Sequence, residues 1–263
     1  MCEIFCINSK EPHEVNECLQ CFYEHSDEHP DGWGLANLAN GKFQIEKEPI
    51  KAKCSKQLKK ILSNPIISKN VFAHIRLATV GEIISVNCHP FYEIDSNKRS
   101  WILIHNGTIF DYSPLDKYKD KQKGDTDSER ILLYIIDKVD EFEKEKGKLS
   151  SIKERFNLLS KIIRDLSKKN KLNLMICDGD LTYIHTNMKN SLYYLKNDED
   201  FIVSSTPLNQ DKNWKPVELN KLFGLIDGNI IFESKKHENV YIETEENRKK
   251  FEEFNKSLKR VEY

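Results

Sequence analysis

The hydrophobic period of this chain changes twice, and that constrains its fold more than any other property of the sequence. Up to residue 109 the apolar residues come in short runs; "NVFAHIRLAT" (70–79) and "RSWILIHNGTI" (99–109) are too short for helices and are bounded by turn residues, so both predict buried strands. Residues 2–8 and "GKFQIEKEPI" also read as strands, and 12–25 reads as a short polar helix. "HPDGWGLA" (29–36) is a Gly-rich turn entering a strand, and "SKQLKKILSNP" is a short helix stopped by Pro65. From Asp127 to about Lys144 the spacing turns helical, and Ile152, Phe156, Leu159, Ile163 and Leu166 repeat at helical intervals on a second helix. Strand-like pieces then return as "LNLMICDG", "LTYIHTN", "SLYYLKN", "DFIVSST" and "LFGLIDGNIIFES". Strands, then helices, then strands predict an α+β protein rather than alternating βαβ units. Two buried sheets packed on each other, with helices outside, use all of these pieces.

No repeat, low-complexity tract or Pro/Gly/Ser linker divides the chain, so it reads as one domain with a charged appendage over 234–263, helical near 244–260. The 41 basic and 42 acidic side chains nearly cancel, which gives no field to attract nucleic acid or an anionic membrane. Charges interrupt every apolar run well short of a membrane span, and the first thirty residues hold no secretory h-region, so a cytoplasmic protein is expected. Seven cysteines without a spaced framework fit reduced thiols. "CLQC" (18–21) is a single C-x-x-C, and His25 and His29 sit beside Pro30 and Gly32 in a loop-like stretch; neither makes a metal site, and no metal or other cofactor is expected.

Polar and glycine residues cluster at the ends of the predicted strands: "HPDGWG" (29–34), "HIRLATVG" (74–81) with "NCHPF" (87–91), "IHNGTI" (104–109) and "GDTDSE" (124–129). Arg76 lies inside a buried run, where an unpaired charge costs several kcal/mol. It either pairs with Asp31, Asp125 or Asp127 or presents a fork to a substrate carboxylate. Asn106–Gly107 is either a tight turn or a pair of donors aimed at an oxyanion. Asp127 opens a helix, where a carboxylate caps and complements the dipole in any protein. Cys2, behind Met1 in "MCEIFC", is either an apolar strand residue or a nucleophile.

Taken in order, these motifs resemble those of class II glutamine amidotransferases, which are N-terminal-nucleophile hydrolases. "MC" is similar to that family's nucleophile, "DGWG" to its glycine loop, "HIRLATVG" to its Arg-x-Ala-Thr segment, "HNG" to its oxyanion turn and "GDTDSE" to its acidic substrate-binding turn. "R-x-ATVG" with "N-x-HPF", and later "SSTPL" (204–208) with Trp214, look closest to the stand-alone branch that includes the γ-glutamyl hydrolase of ergothioneine synthesis. The resemblance runs from Cys2 to roughly residue 230, which marks 2–233 as the amidotransferase-like domain. It implies a four-layer αββα sandwich. It implies Cys2 as nucleophile with its own α-amino group as base, and Asn106 and Gly107 as oxyanion donors. Arg76 and Thr79 would bind the glutamine α-carboxylate, and Asp127 the α-ammonium. An α-amino group with a reference pKa near 7.7–8.0 is partly unprotonated at neutral pH and can take a thiol proton.

Two departures bear on partners. Synthase-linked members usually carry an arginine before the glycine loop, where this chain has Glu28 and His29, and often a histidine after Ala-Thr, where it has Val80. The stretch after residue 230 is also expected to be too short for a synthase domain. The leading reading is a free-standing hydrolase of a small-molecule substrate, glutamine or a γ-glutamyl amide, possible as a homo-oligomer. The alternatives are a glutaminase subunit feeding ammonia to a separate synthase partner, and a non-catalytic protein on the same fold or a thiol-redox protein built on Cys18 and Cys21.

Overall fold

The apolar runs of the sequence lie in two antiparallel sheets in a computed structural model that describes residues 2–39 and 41–257. The first half supplies β1 (Glu3–Glu14), α1 (Asn16–Glu24), β2 (Trp33–Ala39), β3 (Lys42–Glu48), α2 (Lys56–Leu62), β4 (Ile67–Ile75), β5 (Phe91–Ile94) and β6 (Ser100–Thr108). Two long helices follow, α3 (Asp127–Lys146) and α4 (Ile152–Leu166). The second half adds β7 (Lys171–Cys177), β8 (Thr182–His185), β9 (Tyr193–Lys196), β10 (Asp200–Ser204) and β11 (Lys215–Pro216). It ends with β12 (Leu222–Ile226), β13 (Asn229–Glu233) and α5 (Glu245–Ser257). Sheet order is β11-β9-β10-β1-β4-β2-β3 in one sheet and β13-β12-β8-β7-β6-β5 in the other.

Strands buried on both faces explain why the runs are continuously apolar instead of alternating. On β1, Ile4 and Cys6 point into the space between the sheets, while Phe5 and Ile7 pack under α1 and α2. On β6, Ile102 and Ile104 face the same space, while Trp101 and Leu103 pack against α3 and α4. Each such side chain, fully buried, contributes about 1.5–3 kcal/mol. The layers therefore run helix, sheet, sheet, helix: the expected αββα sandwich. Among the described residues no helix is long and apolar enough to cross a membrane.

Two local expectations change. The first strand continues to Glu14, because after a register shift between Asn8 and His13 it still pairs with β4, Glu14 lying opposite Ile67; the helix accordingly starts at Asn16. Residues 25–28 form a single 3-10 turn, tied down where His29 Nδ1 meets the His25 carbonyl at 2.8 Å. The expected helix near 244–260 is found as Glu245–Ser257; Met1 and residues 258–263 lie outside the described residues.

Burial disfavours the charged form of four histidines inside this sandwich. His74 stacks on His89 with ring centroids 4.1 Å apart, and burial holds both well below the ordinary imidazole range. Burial also lowers His105 and pushes His185 down to about 3. At pH 7 these rings are mostly neutral even in the unfolded chain. Below about 6.5 the unfolded rings take up protons that the folded ones refuse. The unfolded state then binds more protons, so stability falls as pH falls, by about 1.4 kcal/mol per pH unit for each such histidine. The urea midpoint is expected to drop steadily from pH 6.5 to pH 5; a midpoint that stays level across that window contradicts neutral burial.

Candidate active site

The alternation that fills the sandwich continues past the apolar core into polar residues at one end. On β1 the inward series Cys6, Ile4 reaches Cys2, and on β6 the series Ile102, Ile104 reaches Asn106 and Thr108. On β7 the series Cys177, Met175 reaches Lys171, and on β10 Phe201, Val203 leads to Ser205. Cys2, Thr79, Asn106, Gly107 and Lys171 line one cavity of about 300 Å³. Its far wall comes from the charged C-terminal stretch, through Tyr241, Glu243, Arg248 and Phe251. Tyr241 is anchored there: its N–H donates to the Asn187 carbonyl at 2.8 Å and its ring stacks on Phe110 at 6.1 Å.

The Cys2 thiol donates to the Leu77 carbonyl at 3.3 Å and accepts the Leu77 N–H at 3.4 Å. Burial raises its pKa above the ordinary thiol value, against the lowering effects of the Leu77 backbone and the charges of Arg76 and Lys171. Facing it, Asn106 Nδ2 donates to Ser205 Oγ at 3.4 Å, and Lys171 Nζ donates to Asn106 Oδ1 at 3.4 Å. Ser205 Oγ also accepts the Ile4 N–H at 3.0 Å, while the Ser205 N–H donates to the Ile4 carbonyl at 2.9 Å. One hydroxyl thus joins the strand carrying the cysteine to the amide opposite it.

The glycine motifs work as close approaches. A Cβ at Gly34 would lie 1.8 Å from the His89 carbonyl oxygen, so "DGWG" and "NCHPF" fit together only with glycine there. A Cβ at Gly107 would lie 2.1 Å from the Lys171 carbonyl and 2.2 Å from His105 Nε2. Asn87 links the other two loops. Its Nδ2 donates to the Glu82 carbonyl at 2.9 Å, and its Oδ1 accepts the Asp125 N–H at 3.0 Å.

Arg76 and Asp127 lie behind these loops; among the described residues they do not line the cavity. The Arg76 guanidinium donates to the carbonyls of Glu82 at 2.9 Å, Val80 at 3.0 Å and Gly81 at 3.1 Å. Its desolvation is met by backbone dipoles of the loop that follows it. Asp127 follows the N-cap Thr126 and accepts the Ile109 N–H at 2.7 Å, holding the strand end just after Asn106–Gly107. Thr79 Oγ1 lies 3.5 Å from Thr108 Oγ1 at the cavity edge.

Sequence reasoning missed Lys171, Ser205 and the wall from Tyr241 to Phe251. Inward parity on β7 and β10 was a usable signal for the first two. A charged amphipathic tail carries no signal of what it packs on. The pair Cys18 and Cys21 stands apart from this site: burial, with Cys21 and Glu17 nearby, pushes the Cys18 thiol up to about 11, opposite to the lowered value of a reactive thiol. Among the described residues no group of three or more His, Cys, Asp or Glu side chains is placed to hold a metal ion.

Two facing antiparallel sheets between helical layers, with the N-terminal strand delivering a cysteine to one end of the sandwich, define the architecture of the N-terminal-nucleophile hydrolases. Solved structures agree on the fold. A predicted glutamine amidotransferase from Pseudomonas aeruginosa superposes with a TM-score of 0.62 at 18% identity, over 88% of this chain and 99% of the other. The glutamine phosphoribosylpyrophosphate amidotransferase of Bacillus subtilis gives 0.62 at 18% identity, over 89% of this chain and 49% of that one. An uncharacterized protein of Methanocaldococcus jannaschii is 29% identical over 90% of this chain and 72% of its own length. The profile of the class II glutamine amidotransferases matches residues 1–201, and the chain belongs to that family.

Proposed function

We propose that this protein hydrolyses the side-chain amide of glutamine or of a γ-glutamyl amide through a thioester on Cys2. The observation that carries this reading is the meeting of Cys2 and Asn106, from inward positions on opposite sheets, at one cavity that Gly107 also lines. With Met1 removed, the α-amino group of Cys2 takes the thiol proton and the sulfur adds to the amide carbonyl carbon. The resulting oxyanion receives the second Asn106 amide hydrogen and the Gly107 N–H. The C–N bond then breaks, the proton passes from the α-ammonium to the departing nitrogen, and ammonia or an amine leaves. Water, deprotonated by the same α-amino group, cleaves the thioester, releases glutamate and restores the thiol.

Arg76 and Thr79 take the α-carboxylate and Asp127 the α-ammonium in this reading. Binding then has a conformational step, since neither Arg76 nor Asp127 lines the cavity; the guanidinium keeps N–H donors beyond the three given to the loop carbonyls, and the Asp127 carboxylate keeps acceptor sites beyond the one taken by the Ile109 N–H. The loop of residues 80–82, whose carbonyls Arg76 holds, is the element that moves.

The test offers glutamine and a panel of γ-glutamyl amides to protein whose N-terminus has been confirmed by intact mass. Release of glutamate by the isolated chain is expected. An electrophilic glutamine analogue is expected to add one equivalent at Cys2 and to leave the other six cysteines largely unmodified. Ammonia release that appears only beside a partner synthase favours a glutaminase subunit, a reading favoured by the B. subtilis amidotransferase, of which this chain matches 49%. No turnover and no Cys2 labelling leaves a non-catalytic protein on this fold.

A further inference from the structure

Lysine is rarely placed inside a sandwich, because burying an ammonium costs several kcal/mol unless nearby groups reward it. Lys171 is only 4% exposed, on the inward face of β7, at the cavity that Cys2 lines. Its Nζ lies 3.4 Å from Asn106 Oδ1. An ammonium has donors and no acceptor, so it holds the oxygen end of that amide toward itself and turns the NH₂ end away. Ser205 Oγ then engages one of the two amide hydrogens. A neutral side chain at 171 would remove the preference, and the amide could present its oxygen to the developing oxyanion. The same ammonium shares its cavity with the Cys2 sulfur and with Glu243 of the far wall.

We propose that Lys171 is a positioning residue of the Cys2 site: it fixes which end of the Asn106 amide faces the reacting carbonyl and supplies positive potential to the Cys2 sulfur. Two observations agree with this. Lys171 follows directly in the inward series with Asn173, Met175 and Cys177, so β7 cannot place it elsewhere without a register change. Burial pushes its pKa down to about 8, with Cys2 and Glu243 opposing the fall, so it is still mostly charged at pH 7. The proposal rests on Cys2 being the nucleophile, but half of its test needs no substrate.

The experiment compares wild type, Lys171→Met, Lys171→Gln and Lys171→Arg, each beginning at Cys2 and each checked for native thermal unfolding. The first readout is the rate of Cys2 alkylation by iodoacetamide against pH, which needs no turnover. The midpoint is expected to rise by about one pH unit in Lys171→Met and Lys171→Gln and to stay near wild type in Lys171→Arg. The second readout is kcat and KM for glutamine, or for the best amide found. A kcat loss of about 10-fold or more with little change in KM is expected for the uncharged variants, partly rescued by arginine. Unchanged alkylation profiles in folded Lys171→Met or Lys171→Gln overturn the proposal, even if activity falls. Should Lys171→Met fail to fold, Lys171→Gln keeps the polar shape and decides the question. A wild type that is alkylated at Cys2 but turns over no amide would count against the function proposed above and leave this inference standing.

Discussion

Protein that retains Met1 is expected to turn over glutamine at least about 10²–10⁴-fold more slowly than protein beginning at Cys2, the range that loss of a positioned general base brings. The reason lies in the thiol's surroundings. Even an unperturbed cysteine is only a few per cent thiolate at pH 7, and burial raises Cys2 above that ordinary value. Its neighbour Leu77 offers a carbonyl at 3.3 Å and an N–H at 3.4 Å, neither of which can remove a proton. Among the described residues no imidazole lines the cavity. In the proposed mechanism the base is the free α-amino group of Cys2, and a peptide bond to Met1 abolishes its lone pair. Cys2→Ala is expected to fall to background. Cys2→Ser keeps the base and is expected to be severely impaired, because serine is the poorer nucleophile. The measurement is kcat on N-terminally blocked and unblocked protein, each assigned by intact mass. Full activity with Met1 in place would falsify the N-terminal-base mechanism while leaving the fold untouched.

Much of this site could be read from the sequence because strand geometry has a period of two. Once 70–79 and 99–109 are taken as buried strands, Arg76 and Asn106 are strand-end residues, and the glycine motifs mark where loops must approach closely. The 1.8 Å clash that a Cβ at Gly34 would make with the His89 carbonyl ties "DGWG" to "NCHPF", two motifs that look independent along the chain. What parity could not convey is how polar groups are shared. Arg76 could be seen to need a partner. That three carbonyls of its own following loop serve depends on a turn that hydrophobic patterning does not encode. Ser205 was visible only as part of "SSTPL"; its role as a bridge between Ile4 and Asn106 exists only once β10 lies beside β1. The C-terminal stretch was legible as a charged helix. That charge reads as a solvated helix, and nothing in it says that Tyr241 meets Phe110 at the cavity wall.

Asn106→Ala is expected to lower kcat by about 10²–10³ while KM changes little, the signature of a donor used in the transition state and not in the ground state. The amide is well prepared for that role. Lys171 holds its oxygen, Ser205 takes one hydrogen, and a β6 backbone paired along its length with β7 keeps the side chain from drifting. Removing it leaves the Gly107 N–H, so hydrolysis should persist well above the uncatalysed rate. Asn106→Asp makes the sharper comparison. The shape is kept, but a carboxylate in reach of the Lys171 ammonium forms an ion pair there and faces the developing oxyanion with like charge. Its kcat should fall at least as far as that of Asn106→Ala, although it removes fewer atoms. If Asn106 only shaped the turn, the order would reverse: the near-isosteric aspartate would be mild, alanine would be worse, and the loss would appear in KM. Measuring kcat and KM for both variants with one γ-glutamyl amide therefore separates an oxyanion donor from a turn residue, whichever amine that substrate carries.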